Sequence, residues 1–167
     1  MEHPELIENA FVNYLTTKGG WTNNLLLLAG ENNVDKSDAR IVAYVEGDLG
    51  EEAPPLSGNR WADVVVELRT PYSKLTAAEK ANGTTDPLPQ HKANATNLQT
   101  VMLSQTLPED LTAAQANFTC FGLSERTPMR KQDGNYWGTG WKMKIYSCPS
   151  VKDFSWLSSN NTLLEFV

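Results

Sequence analysis

The sequence contains few of the residues that build metal, redox or disulfide-stabilised sites. Its 167 residues include only two cysteines and two histidines, and two cysteines are too few for a disulfide framework or a cysteine-based zinc site. The longest apolar run, residues 25–29, is far shorter than the roughly 20 residues that span a bilayer, so we expect no membrane partner. The chain does not open with a basic segment followed by an apolar one. We therefore expect no secretory signal and a reducing compartment.

Positive charge is also scarce. Lys and Arg number 14 against 20 Asp and Glu, which gives a net charge of −6. Tight wrapping of DNA relies on clustered Lys and Arg, so this balance argues against it. Hydrophobic residues make up 40% of the chain, enough for a packed core in a chain of this length. We predict one domain over residues 1–149 and an apolar arm over residues 150–167.

Hydrophobic periodicity predicts two helices and several strands. Residues 4–17 carry one apolar stripe at helical spacing, and residues 91–105 carry a second, which Pro108 is expected to close. Residues 40–48 are rich in β-branched side chains. Residues 61–69 are the clearest strand, in which Val64, Val66 and Leu68 share one face. The other face carries Asp63, Val65, Glu67 and Arg69.

The last third of the chain predicts a long hairpin. Residues 117–126 and 136–148 are strand-like, and the turn dipeptide Asp133-Gly134 lies between them. Gly138 and Gly140 predict either a bulge or a close approach of another backbone. The whole pattern indicates an α+β fold, in which a mostly antiparallel sheet packs against two helices, with a long protruding β-hairpin and a C-terminal arm.

No residue pattern identifies a catalytic or cofactor-binding site, and we expect no enzyme activity, cofactor or metal. His3 lies near the N-terminus, and His91 is interpreted as a surface histidine near a helix start. The alternative interpretation is a small hydrolase, in which His91 acts as a general base beside Asp86. The acids of residues 46–63 are interpreted as a solvated turn rather than a cation site. Cys120 and Cys148 are predicted to be small buried residues.

Two sets of residues are candidate contact surfaces. The first is a basic cluster on the predicted hairpin that would contact a partner or DNA, and Trp137 and Trp141 lie on the same segment. Its members are Arg126, Arg130, Lys131, Lys142 and Lys144. The second is the apolar arm, which would anchor a neighbouring subunit. Its members are Phe154, Trp156, Leu163, Leu164 and Phe166.

The order of these segments resembles the tail terminator (tail completion) proteins of long-tailed bacteriophages. The segments that carry the resemblance are residues 41–48, 61–72, the helix at 91–105, and 117–148 with its Asn135-Tyr136-Trp137 turn exit. Together they span roughly residues 5–148. The resemblance is one of pattern and size and includes no diagnostic motif.

This resemblance implies a virion protein assembled in the host cytoplasm. Members form a hexameric ring that caps the tail tube protein, contacts the head-to-tail connector protein, and lets DNA pass through its lumen. A head-to-tail connector protein of the neck is an alternative in the same class. An alternative of another class is a monomeric module that binds a ligand, such as a glycan, through Trp137, Trp141 and the Asn-rich loops.

Overall fold

A computed structural model of the chain describes residues 1–21, 25–30, 39–71, 88–132 and 136–150. This part contains three helices and six strands, in an α+β arrangement. The helices are α1 (His3–Lys18), α2 (Leu88–Met102) and α3 (Leu107–Ala114). The strands are β1 (Leu26–Ala29), β2 (Arg40–Val45), β3 (Arg60–Pro71), β4 (Thr119–Leu123), β5 (Thr127–Gln132) and β6 (Tyr136–Cys148).

Helix α1 confirms the predicted apolar stripe. Glu2 and Glu5 form a reciprocal capping box at its start, and the N–H of Gly19 donates to the carbonyl of Leu15 at its end. All six stripe residues are buried, which places this face against the sheet and α3. They are Leu6, Ile7, Ala10, Phe11, Tyr14 and Leu15.

The strands form one curled, mixed sheet. Its order is β1-β2-β3-β6-β4, and β5 also pairs with β6. Strands β1 and β2 are parallel, and the other pairings are antiparallel, so the mostly antiparallel prediction is confirmed. Strand β6 is the organising element, because β3 pairs with nearly all of it on one side while β5 and β4 share its other side.

The predicted faces of the central strands are confirmed. Val64, Val66 and Leu68 of β3 are buried in the core together with Met143 and Ile145 of β6. Lys142 and Lys144 alternate with these β6 residues and are exposed, as period-2 alternation requires. The register between β3 and β6 runs without interruption from Arg60–Ser147 to Pro71–Tyr136.

Three details of the sequence prediction are wrong. Pro108 does not close α2 but lies in the first turn of a separate helix, α3, where a missing N–H costs little. Gln105 lies outside α2 and is exposed. The segment expected to link the two hairpin strands contains a strand of its own, β5, so the hairpin is β5–β6 and the earlier strand β4 pairs with the far half of β6.

Some predicted segments lie outside the described residues. These are the turn dipeptide Asp133-Gly134 of the predicted hairpin and residues 151–167 of the arm. No helix in the described ranges combines the length and apolar character needed to cross a bilayer.

Candidate functional site

A concave surface lies between α2 and the β5–β6 hairpin, and we call it the hairpin groove. Its volume is about 820 Å³. One wall is a single face of α2, because Lys92, Ala95, Thr96 and Gln99 follow the helical period. The opposite wall consists of residues 128–132 of β5 and residues 137–141 of β6. A groove of this volume and lining suits a chain segment of a partner or a flat ligand.

Two tryptophans supply the apolar surface of the hairpin groove. Trp137 and Trp141 lie four residues apart on β6, so they point to the same face of the sheet, with Thr139 between them. Both are partly buried, which leaves ring surface available for contact. Tryptophan is enriched at protein interfaces because its large ring buries much area at little cost in conformational entropy.

The charge of the hairpin groove is positive. Lys92, Arg130 and Lys131 line it and are exposed, and among the described residues that line it none is acidic. Lys131 lies 5.9 Å from the Tyr136 ring, while neither Lys92 nor Arg130 forms an ion pair within the described part of the chain. In a protein with a net charge of −6, this patch would attract an acidic surface.

Strand β5 adds an open edge to the hairpin groove. It pairs with β6 along one side, and no described strand pairs with its other side. Five of its six residues are exposed. This edge carries Pro128, Arg130 and Lys131. Proline and charged residues protect an edge strand from pairing with unrelated chains, so contact at this edge would be selective.

His91 anchors the hairpin groove to the sheet. Its Nδ1 lies 2.7 Å from the Thr70 hydroxyl and its Nε2 lies 2.9 Å from the Thr139 hydroxyl. The side chain is buried, so the interpretation as a surface histidine is wrong. The sequence could not have shown these partners, because they lie 21 and 48 residues away. Both ring nitrogens are engaged in fixing α2 against β3 and β6, and the alternative partner Asp86 lies outside the described residues.

Stability should fall in mild acid because of the two histidines. Burial lowers the pKa of His91, and burial with the nearby Arg60 charge lowers the pKa of His3. The unfolded chain then binds more protons than the folded one as pH falls below about 6.5. We expect a lower free energy of unfolding in urea at pH 5 than at pH 7.5. H91Q should flatten this difference, and a pH profile unchanged in both H91Q and H3Q would contradict the assignment.

The predicted basic cluster is divided among three places. Arg126 donates from Nη1 to the carbonyls of Met102 and Ser104 at 2.7 and 2.8 Å, so it caps the end of α2. Lys142 lies 3.5 Å from Glu46, and Lys144 pairs in register with Asp63. Of the five residues, only Arg130 and Lys131 line the hairpin groove, where Lys92, which the sequence analysis did not single out, joins them.

A buried ion pair lies on the sheet face opposite the core. Glu67, 1% exposed, accepts a hydrogen bond of 2.5 Å from Nε of Arg69. The Arg69 guanidinium also faces the rings of Tyr44 and Tyr136. Sequence analysis missed this pair, although opposite charges two residues apart in a strand of valines are a recognisable signal. Its chemistry is structural, because the carboxylate is already engaged by a cation.

The remaining titratable candidates have local roles. No group of three or more His, Cys, Asp or Glu that could hold a metal ion occurs within the described ranges. Cys120 and Cys148 are both buried, as predicted, and neither forms a disulfide. Burial raises the pKa of the Cys120 thiol to about 11. The arm residues Phe154, Trp156, Leu163, Leu164 and Phe166 lie outside the described residues.

Comparison with known proteins finds neither a matching family model nor a matching curated protein.

Proposed function

We propose that this chain is the subunit of a structural ring, and specifically a tail terminator of a long-tailed bacteriophage. Six copies would cap the tail tube and join it to the head-to-tail connector in the virion neck. The observation that carries the proposal is the hairpin groove. There two tryptophans, exposed cations and a strand edge that no described strand covers form an extended contact surface. Surfaces with these features are typical of protein docking sites.

The element order supports the same proposal. The segments that carry the resemblance correspond to β2, β3, α2 and the β4–β6 region, in the expected sequence. Within this proposal the β5–β6 hairpin protrudes from each subunit and contacts a neighbour or the tube. Arg130 and Lys131 are its contact residues in the groove, and Arg126 holds the base of the hairpin. Lys142 and Lys144 would add positive charge on the other face of β6.

Area and charge are compatible with a ring through which DNA passes. Two contacts of about 800 Å² per partner each would cover about one sixth of the 9628 Å² surface. Six copies at −6 each carry a net charge of −36. A lumen without dense positive charge would not retain DNA, because tight binding requires many phosphate contacts by Lys and Arg.

Negative-stain electron microscopy of the purified protein tests the proposed ring. We expect closed rings with six-fold symmetry and a central lumen. Rings that attach to one end of a tail tube would identify a terminator, whereas rings that bind only the connector would favour the neck-connector alternative. Isolated globular particles at all protein concentrations would contradict both.

The apolar arm has its own test. If the arm, residues 150–167, anchors a neighbouring subunit, its removal should abolish ring assembly while leaving a folded monomer with unchanged circular dichroism. A matched control replaces the polar pair Asn160 and Asn161 with alanine, which keeps every apolar anchor of the arm. Rings formed equally well by the truncated chain would refute the anchoring role.

A ligand-binding module is the second candidate function. The hairpin groove has a volume of about 820 Å³ and contains Trp137, Trp141 and polar side chains such as Gln99, a combination that also suits a sugar or another flat ligand. This alternative expects a monomer whose tryptophan fluorescence changes when a glycan is added. A ring whose fluorescence does not respond to glycans would exclude it.

A further inference from the structure

A second charged surface is an acidic loop, residues 46–52, between β2 and β3. It contains Glu46, Asp48, Glu51 and Glu52 and no Lys or Arg. The loop is fixed against the start of β3, because the N–H of Glu46 donates to the carbonyl of Asp63 and the N–H of Gly50 donates to that of Trp61. It is therefore a surface of defined position.

Two of the four loop acids have cationic partners and two do not. Glu46 lies 3.5 Å from Lys142, and Glu52 lies 3.7 Å from Arg60. Asp48 and Glu51 are exposed and form no ion pair within the described part of the chain. The loop thus presents two unmatched negative charges, as the hairpin groove presents two unmatched positive charges on Lys92 and Arg130.

An exposed leucine accompanies the acidic loop. Leu56 is 97% exposed and has a φ of 63°, a left-handed conformation that is uncommon for a bulky residue. A carboxylate oxygen of Glu52 accepts a hydrogen bond of 2.8 Å from its N–H and helps hold the turn. A strained backbone that projects a leucine into solvent is typical of a functional contact. The two tryptophans of the groove offer an apolar surface that would accept it.

Within one chain, the groove centre and the part of the loop that carries Asp48 and Glu51 lie apart along the same strand pair. The acidic loop lies beside Trp61, which pairs with Tyr146, whereas the groove begins at Trp141 and extends to Trp137. The seven residues from Tyr146 to Thr139 at the groove centre correspond to about 23 Å along the strand. Glu46 reaches toward the groove through Lys142, 3.5 Å away, whereas Asp48 and Glu51 lie farther along the loop and remain available to another copy.

We propose that the acidic loop and Leu56 of one copy dock into the hairpin groove of the next. Asp48 and Glu51 would approach Lys92 and Arg130, and Leu56 would contact Trp137 and Trp141. The contact joins two different surfaces, so its repetition generates a closed ring or an open filament. This inference rests on the proposed ring function and names the subunit contact that builds it.

A charge-swap experiment tests this contact in the full-length protein. The first variant, K92E/R130E, makes the groove acidic, and the second, D48K/E51K, makes the loop basic. All four side chains are exposed and lack ion pairs within the described residues, so circular dichroism should be unchanged. Each variant alone should need at least tenfold more protein to assemble, because like charges then meet at every contact.

Mixing the two variants should restore assembly. In an alternating ring, each acidic groove meets a basic loop and each basic groove meets an acidic loop, and a six-membered ring permits this alternation. The assembly midpoint of the equimolar mixture should return to within about threefold of the wild type. Controls K18E and E125K change exposed charges outside both surfaces and should assemble normally.

A third variant, L56N, tests the apolar part of the contact without changing charge. L56N keeps a residue that tolerates the left-handed backbone but removes the apolar side chain, so its assembly midpoint should rise at least fivefold. The proposed contact would be overturned if the wild type formed rings and the charge variants assembled as readily as it does. It would also be overturned if mixing the two charge variants did not restore assembly. Either result would leave the ring function standing. A wild type that never assembles would overturn the ring function itself.

Discussion

Replacing Gly140 with alanine is expected to lower the free energy of unfolding by about 3 kcal/mol or more, at the upper end of overpacking effects. A Cβ at this position would lie 2.1 Å from the carbonyl oxygen of Val66 and 2.7 Å from the Cα of Glu67. Both atoms belong to the β3 backbone at the centre of the sheet, so no side-chain rotation relieves the overlap. Urea unfolding followed by circular dichroism measures the effect.

Gly122→Ala is the matched control for this substitution. Gly122 also lies in a strand next to β6, but an added Cβ there meets nothing within 4 Å. Its effect should stay within about 1 kcal/mol, because only the modest conformational difference between glycine and alanine changes. Equal stability of the Gly140 and Gly122 variants would show that β3 and β6 do not approach as closely as described.

Replacing Arg69 with methionine should cost about 3–5 kcal/mol of stability. The substitution keeps an unbranched apolar stem but leaves the Glu67 carboxylate, 1% exposed, without its cation. It also removes the guanidinium that packs against Tyr44 and Tyr136. The free energy of unfolding at pH 7.5, from urea or guanidinium titration, gives the magnitude.

Arg60→Met is the corresponding surface control. Arg60 and Glu52 are separated by 3.7 Å, and about a third of each side chain is exposed. Solvent screening reduces the contribution of such a pair to at most about 1 kcal/mol. If the Arg69 and Arg60 variants lost similar amounts of stability, burial of the Glu67–Arg69 pair would not be the cause of the larger loss expected for Arg69.

The parts of the fold that could be predicted are those whose pattern is local. Helix α1 follows from six apolar residues on one stripe, and the core face of β3 follows from the period-2 spacing of Val64, Val66 and Leu68. For Gly140 the sequence allowed two interpretations, a bulge or a close approach of another backbone. The uninterrupted β3–β6 register shows that the close approach applies. Each of these features is determined by residues within one segment.

The features that could not be predicted depend on distant partners or on ambiguous residues. Pro108 is equally suited to follow one helix or to begin another. Strand β5 has no alternating apolar pattern and is a strand because β6 pairs with it. The division of the basic cluster follows from that pairing, since Lys142 and Lys144 lie beside Glu46 and Asp63 while Arg130 lies in the groove.

The hairpin groove itself shows the same division. Its tryptophans, Arg130 and Lys131 were singled out from the sequence, but Lys92 and the anchoring role of His91 emerge only when α2 packs on the sheet. Contacts between residues of one hairpin can therefore be predicted from the sequence. The packing of the helix that completes the groove cannot. The acidic loop was recognised as a solvated turn, and its distance from the groove became visible only through the strand register.

The most direct test of the central claim is the native mass of the purified full-length protein over a wide concentration range. Sedimentation velocity or native mass spectrometry should find a monomer of 18.5 kDa at high dilution. At higher concentration, a closed species of about six times that mass should appear. A protein that remains a monomer at every concentration, and that stays monomeric when tail tubes or connectors are supplied, would contradict the account.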